Sequence, residues 1–315
     1  MVTFGPVKVR QRSPALCAIA AMSTLAIAAC SSSGSGAGLP PSAAQSSPLV
    51  RMSIDSASKA ELFVSDTGLN EVSTFAWPQP KNPTGTLTGF SEPQGGCSDA
   101  KGDVYVANTG GLTVLGFEVG NANPIATLSD PGQYPVGCSY DWKYGNLAVT
   151  NFITSDDGPG SVSIYADEKG SPKTIGSSLL TRFYAVSYDA SGNLYASGEN
   201  SSYQDAIIEL PAGSRAFKAV CTNLAKKGLA VAGWDGKYIL FGGDGRIYRV
   251  KGCKILGSTP VHASGEVAVS EGRIAAVDSG TAELSIYTYP KGTLLETLSG
   301  FSEPVGVAVG GMKVK

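Results

Sequence analysis

The chain has 315 residues, 42% of them hydrophobic and only 16% charged, with 40 glycines and 18 prolines. That composition is globular and dense in turns, which excludes a coiled coil or a disordered chain, and the length fits one domain. The formal net charge of −2 carries no basic excess, and Lys8, Arg10 and Arg12 all precede residue 30, so residues 30–315 are more acidic still; this argues against a nucleic-acid partner.

The N-terminus comes first. Lys8, Arg10 and Arg12 form a basic head, followed by an uncharged run of small and apolar residues from Ala15 to Ala29 and then by Cys30, in the sequence IAAC. That run is shorter than the roughly 20 residues a bilayer-spanning helix needs. Residues 1–29 resemble a bacterial lipoprotein signal, in which small residues precede a cysteine that is lipidated and becomes the new N-terminus. The alternative is an ordinary secretory signal cut nearby. The stretch from Ser31 to Pro48, SSSGSGAGLPPSAAQSSP, has the composition of a flexible spacer. The sequence therefore divides into a signal (1–29), a lipidated Cys30 with its linker (30–48) and a folded domain (49–315). An exported protein, lipid-anchored to a membrane of the cell envelope, is the expected localisation.

Beyond the linker the chain repeats. Six apolar runs, LFVSD ending at Asp66, VYVAN at Asn108, LAVTN at Asn151, LYASG at Gly198, YILFG at Gly242 and IAAVD at Asp278, recur about every 42 residues. Polar turns such as DAKGD, DWKYGN and DASGN precede most of them, and a shorter apolar segment lies before each turn, as in PVGCSYD and GEVAVSEG. An alternating strand such as SVSIYA, AIIELP, RIYRV or LSIYTYP comes after the run. Each unit thus holds three clear strands and a variable fourth. The period inside a unit is two, and glycine interrupts every stretch before helix length, which excludes helical repeats. Four-stranded units with this period predict an all-β fold, a six-bladed β-propeller.

The heptad GFSEPQG begins at Gly89, and GFSEPVG begins at Gly300. That separation is five repeat lengths. The N-terminal segment around residues 61–80 supplies later strands of a blade whose first strand is offered by residues 304–310, so the ends are expected to close the ring by pairing in one sheet. Residues 49–55, LVRMSID, compete for the same slot; the C-terminal segment is preferred because its flanking turn copies that of a neighbouring blade.

VSDTGLNEVSTF at Val64–Phe75 resembles the repeat signature of NHL-type six-bladed propellers, and VYVANTG at Val104–Gly110 matches its first half. The resemblance implies fold. It also points to architectural cousins, the gluconolactonase-like hydrolases and streptogramin-lyase-like enzymes, which place a metal or catalytic groups at the central mouth. No catalytic motif of theirs maps onto residues of this chain.

In a propeller the turn after the second strand and the segment entering the first strand share a face. The first kind of loop brings Asp66, Asn108, Asn151, Glu199, Asp244 and Asp278 there, and the second brings Glu92, Tyr134, Arg182, Lys226 and Glu303. Such an oxygen-rich ring is suited to Ca²⁺ or Mg²⁺, but Asp and Asn at strand ends more commonly cap turns. No cofactor is expected, with Ca or Mg as the alternative. The sole histidine, His262, lacks the second group that zinc or acid–base chemistry normally uses. Phe152, Tyr184 and Trp234 are placed on the same face and expected to pack between blades. Cys97 and Cys138 occupy equivalent places in adjacent units and are expected to be two small buried thiols, with a disulfide as the alternative; Cys221 and Cys253, placed on outer strands of successive blades, pose the same choice. The expectation is a monomeric, membrane-anchored scaffold without evident catalysis, binding a small molecule, glycan or protein through Asp66, Glu92, Asn108, Asn151, Arg182, Asp244, Asp278 and Glu303. A metal-dependent hydrolase or lyase is the alternative.

Overall fold

A computed structural model describes residues 60–222 and 231–311. They form six four-stranded antiparallel sheets. The first blade contains β1 (Glu61–Asp66), β2 (Glu71–Ala76) and β3 (Pro83–Leu87). Blade 2 is β4 (Pro93–Ser98), β5 (Val104–Asn108), β6 (Thr113–Phe117) and β7 (Ala126–Ser129); blade 3 is β8 (Gln133–Tyr140), β9 (Asn146–Thr154), β10 (Pro159–Ala166) and β11 (Lys173–Ile175). Blade 4 is β12 (Arg182–Tyr188), β13 (Leu194–Glu199), β14 (Asp205–Leu210) and β15 (Lys218–Cys221), and blade 5 is β16 (Val231–Trp234), β17 (Ile239–Gly243), β18 (Arg246–Lys251) and β19 (Lys254–Pro260). Blade 6 is β20 (Val267–Ser270), β21 (Arg273–Asp278), β22 (Glu283–Thr288) and β23 (Leu294–Leu298), and β24 (Pro304–Gly310) returns to the first blade.

The second strand of each blade is sandwiched between neighbouring sheets. All six residues of β1 and all five of β5 are buried, which is why these runs read as continuously apolar rather than alternating. The core therefore lies between blades. Leu62, Val64 and Phe75 of blade 1 pack on Ala275, Val277, Leu284 and Ile286 of blade 6. Ala148 and Val162 of blade 3 meet Phe183, Val186, Leu194 and Ile208 of blade 4. Each of the Val, Leu, Ile and Phe side chains taken fully out of water contributes about 1.5–3 kcal/mol.

The ring closes as the repeated heptad predicts. β24 pairs antiparallel with β1, with Leu62 opposite Val309 and Val64 opposite Val307. The side chain of Asp66, 1% exposed, pins the junction: Oδ2 accepts from the Ser302 amide at 2.7 Å, and Oδ1 from the amides of Glu303 at 2.9 Å and Leu69 at 3.2 Å. Blade 2 repeats the device, as Asn108 Oδ1 accepts from the Ser91 amide at 2.7 Å. The two Ser-Glu-Pro segments are thus docking points for a strand-end acceptor. Residues 49–55, like Cys30 and the rest of the signal and linker, lie outside the described residues.

The expectation of free thiols is corrected. Cys97 on β4 is bonded to Cys138 on β8, with Cα atoms 5.5 Å apart, and Cys221 to Cys253, with Cα atoms 4.9 Å apart. First strands of neighbouring blades converge at the hub, which brings equivalent positions within disulfide range. Cys253 also sits in the turn joining β18 to β19, not on an outer strand. The Cys97–Cys138 bond spans 41 residues, so replacing both by Ser is expected to lower the unfolding free energy by about 3–4 kcal/mol through loop-closure entropy. Urea denaturation under oxidising conditions checks this; an unchanged midpoint would show that the bond does not contribute.

Candidate functional site

Turns after the second strands and segments entering the first strands do share one face, the upper face. Three of the residues anticipated there, Asp66, Asn108 and Asp278, are occupied with loops. Asp66 and Asn108 cap the entering segments through the amide hydrogen bonds of Ser302, Glu303 and Ser91. Asp278 accepts from Ser264 Oγ at 3.0 Å and from the amides of Gly280 at 2.8 Å and Thr281 at 3.3 Å. Although burial pushes its carboxyl up, these hydrogen bonds and His262 hold it below the usual aspartate range. His262 Nδ1 lies 2.5 Å from Asp278 Oδ2. Ser264 thus bonds to the aspartate rather than to the histidine, and the three groups do not form a nucleophile relay.

Glu92 takes a left-handed backbone (φ 52°), and its amide donates to Asn70 Oδ1 at 2.7 Å. Glu303 and Asp244 are exposed at turns, Asp244 also with positive φ (54°), and Tyr134 is half-buried at the start of β8. Asn151 is a correction: it is fully buried, and its Nδ2 donates to Ser161 Oγ at 3.1 Å and Ser163 Oγ at 3.0 Å inside blade 3. It is part of a polar network with Asp130, whose carboxyl burial pushes up. Lys226 lies outside the described residues. The acceptors of Asp66, Asn108 and Asp278 are committed to amides and hydroxyls, and among the described residues no three His, Cys, Asp or Glu side chains converge as a metal set.

One group of anticipated residues does come together. Phe152 at the end of β9 stacks on Tyr184 of β12, ring centroids 5.7 Å apart and planes 18° from parallel. The Arg182 guanidinium carbon lies 5.6 Å from the Phe152 ring centre and 5.6 Å from that of Tyr203. Arg182 Nη1 also meets Glu199 Oε2 at 3.2 Å. A bulge in β12 between Phe183 and Ala185 admits Tyr184, whose hydroxyl is pushed up by desolvation and by Glu199. Tyr203, on the turn between β13 and β14, is 70% exposed. A guanidinium held between aromatic faces next to a carboxylate offers stacking, hydrogen-bond donors and charge at one place. Trp234 is not part of it: it ends β16 at the opposite, lower side and packs with Ile207, Cys221 and Ile239, because β16 runs away from the upper face.

A residue that the repeat pattern does not single out sits on the axis. Glu266 precedes β20, and its amide and carbonyl pair with Val305 and Val277. In register it stands where the other blades carry Gly306 opposite Ser65, Gly137 opposite Thr150 and Ala185 opposite Ser197. Its carboxylate crosses the hub to blades 1 and 2: Oε2 accepts from the Gly96 amide at 3.1 Å, and the Val307 amide donates as well. A Cβ on Gly95 would lie 2.0 Å from Glu266 Oε1, and one on Gly137 would lie 3.1 Å away. The small residues of the hub thus make room for this one large side chain. Protein surrounds the carboxyl at the centre of the ring, and the residue as a whole is half-buried. Burial pushes its pKa up to about 8, with the two amide hydrogen bonds opposing. The signal that would have found it is an acid at the hub position of the repeat, where glycine or alanine is the rule.

No family model matches the chain, and no curated protein matches it. A solved structure described as a nidogen/laminin complex contains a similar chain, 12% identical, with a TM-score of 0.64; the match covers 81% of this chain and 99% of that one. This chain is a six-bladed β-propeller. At that identity the likeness shows the fold alone.

Glu266 gives the site a measurable proton linkage. A carboxyl whose folded pKa is raised keeps its proton in the native state while the unfolded chain has lost it. Its contribution to stability is therefore fully present below about pH 4.5 and is lost as pH rises to about 8. Glu266→Gln is expected to remove this component, so that its melting temperature falls less than that of the wild type between pH 5 and 8. Parallel pH profiles for the two proteins would show that Glu266 titrates normally.

Proposed function

We propose that the protein is an exported, lipid-anchored, NHL-like propeller whose upper face is a binding scaffold for a ligand or a protein partner. The observation that carries this reading is the open cluster of Arg182, Phe152, Tyr184 and Tyr203. Arginine and tyrosine supply much of the energy of protein interfaces, and stacked rings pre-arranged by rigid strands lose little entropy on binding. Acidic turns carrying Asp156, Asp244, Glu303 and Glu92 flank the cluster around the ring, which favours partners with exposed basic groups. The two disulfides fit an oxidising compartment. In support of the lipid anchor stand the basic head, the apolar run and the small residues ahead of Cys30.

Glu266 is the observation that favours an enzymatic second reading, because a carboxyl poised near neutral pH serves as a general acid or base. Against it, both backbone hydrogen bonds to Glu266 and the close walls at Gly95 and Gly137 give this carboxyl a structural task at the hub.

A photo-crosslinking amino acid at position 203 of the full chain in producing cells tests the binding reading, with position 256 on the outer edge of blade 5 as control. Discrete adducts are expected from 203 and not from 256, reduced at least about tenfold by Arg182→Ala, as for removal of an interface anchor. Equal adduct patterns from both positions, insensitive to Arg182→Ala, would refute it.

A further inference from the structure

The opposite, lower face is formed by the turns between first and second strands and between third and fourth strands. Ala60, the first described residue, lies there, its carbonyl accepting from the Trp77 amide at 3.0 Å. The face differs from the upper one in charge. Among the described residues, upper-face turns carry the acids Asp156, Asp244, Glu303 and Glu92 and only Arg182 and Arg246 as cations, whereas lower-face turns present Lys101, Lys143, Lys169, Arg215, Lys237 and Lys291 together with the exposed acids Glu118, Asp167 and Glu271. Three further acids of the lower face are withdrawn from solvent. Asp99 is 0% exposed and Asp141 1%, each accepting from amides of its own turn, and Glu168, 8% exposed, is held by Lys101 at 3.0 Å and Tyr105 at 3.0 Å.

The turn after β8 lies on this face. Asp141 Oδ1 accepts from the amides of Lys143 at 3.0 Å and Tyr144 at 3.2 Å, which fixes the turn and leaves Trp142 46% and Tyr144 54% exposed. Tyr140 braces Trp142 edge-on at 5.2 Å, and Lys143 Nζ lies 4.8 Å from the centre of the Tyr144 ring. Trp, Tyr and Lys in one rigid turn are the side chains that favour the headgroup region of a bilayer, where an apolar body meets a polar tip.

We propose that the lower face lies against a lipid bilayer, with Trp142 and Tyr144 seated among the headgroups and Lys143 between them over anionic lipid. This rests on the lipid anchor at Cys30, and it adds an orientation: Ala60, the first described residue, and the aromatic turn are on one face, so the Arg182 cluster is turned away from the membrane. The acidic upper face would be repelled by the same anionic surface.

The test uses the lipidated full chain reconstituted into phosphatidylcholine/phosphatidylglycerol vesicles, with or without brominated acyl chains. The chain has three tryptophans, and Trp77 is buried; the difference between wild type and Trp142→Phe isolates Trp142, and equal melting temperatures confirm that the exposed substitution leaves the fold intact. The expected result is flotation of both proteins with the vesicles and quenching of the Trp142 component by about twofold in brominated lipid, as for an interfacial tryptophan. Flotation with a Trp142 component identical in both lipids would overturn the orientation and leave the anchor standing. A chain whose mass shows no lipid on Cys30 and that stays in solution would remove the anchor and the orientation together.

Discussion

Everything in this fold depends on one closure, the pairing of β24 with β1 across the two ends of the chain. Five blades are continuous in sequence; the remaining one is assembled from segments more than two hundred residues apart. Its backbone pairing is reinforced by the carboxylate of Asp66, which takes amide hydrogens from both Ser302 and Glu303 in a buried position. Hydrogen bonds to a charged acceptor contribute about 1.5–3 kcal/mol each, and here they fall where loop-closure entropy is greatest. The repeated Ser-Glu-Pro segment is the structural trace of this task, performed by Asn108 on Ser91 in the next blade.

Closure sets the geometry of the hub. With six first strands around one axis, backbones approach so closely that a Cβ on Gly306 would sit 2.3 Å from the Gln94 carbonyl oxygen. Small residues are therefore required at most hub positions, and the space left by them is taken by a single carboxyl, that of Glu266. The same convergence brings Cys97 and Cys138 together. Hub packing, the disulfide and the raised pKa of Glu266 are three results of one crowding constraint.

The repeat made most of the architecture legible. Strand existence, blade number and the origin of the closing strand come from apolar runs and turns recurring at a fixed spacing, since each unit buries its faces against the next. Site residues were less legible, because strand position gives the face but not the task of a side chain. Asp66, Asn108 and Asp278 are at the expected ends yet are used by turns, while Asn151 is turned into its sheet by two serine hydroxyls. Trp234 is expected on the upper face, but its strand ends on the lower one. The disulfides depend on distances between blades that spacing along the chain does not contain. Glu266 was hidden for the reverse reason: it sits at the repeat position usually filled by glycine, and only the register across β20 and β21 shows that an acid there reaches the axis.

The result is a ring of blades with chemically distinct sides, an acidic upper face bearing an arginine between aromatic rings and a lower face of mixed charge with exposed aromatics. That polarity exists only if the first blade is closed. The most direct measurement is amide hydrogen exchange at Ser302 and Glu303. If Asp66 and β24 close the ring, these loop amides will exchange as slowly as those in the middle of β1 and β5, through global unfolding. Exchange at the rate of an exposed turn, with β5 still protected, would mean that the ring is not closed by the C-terminal strand.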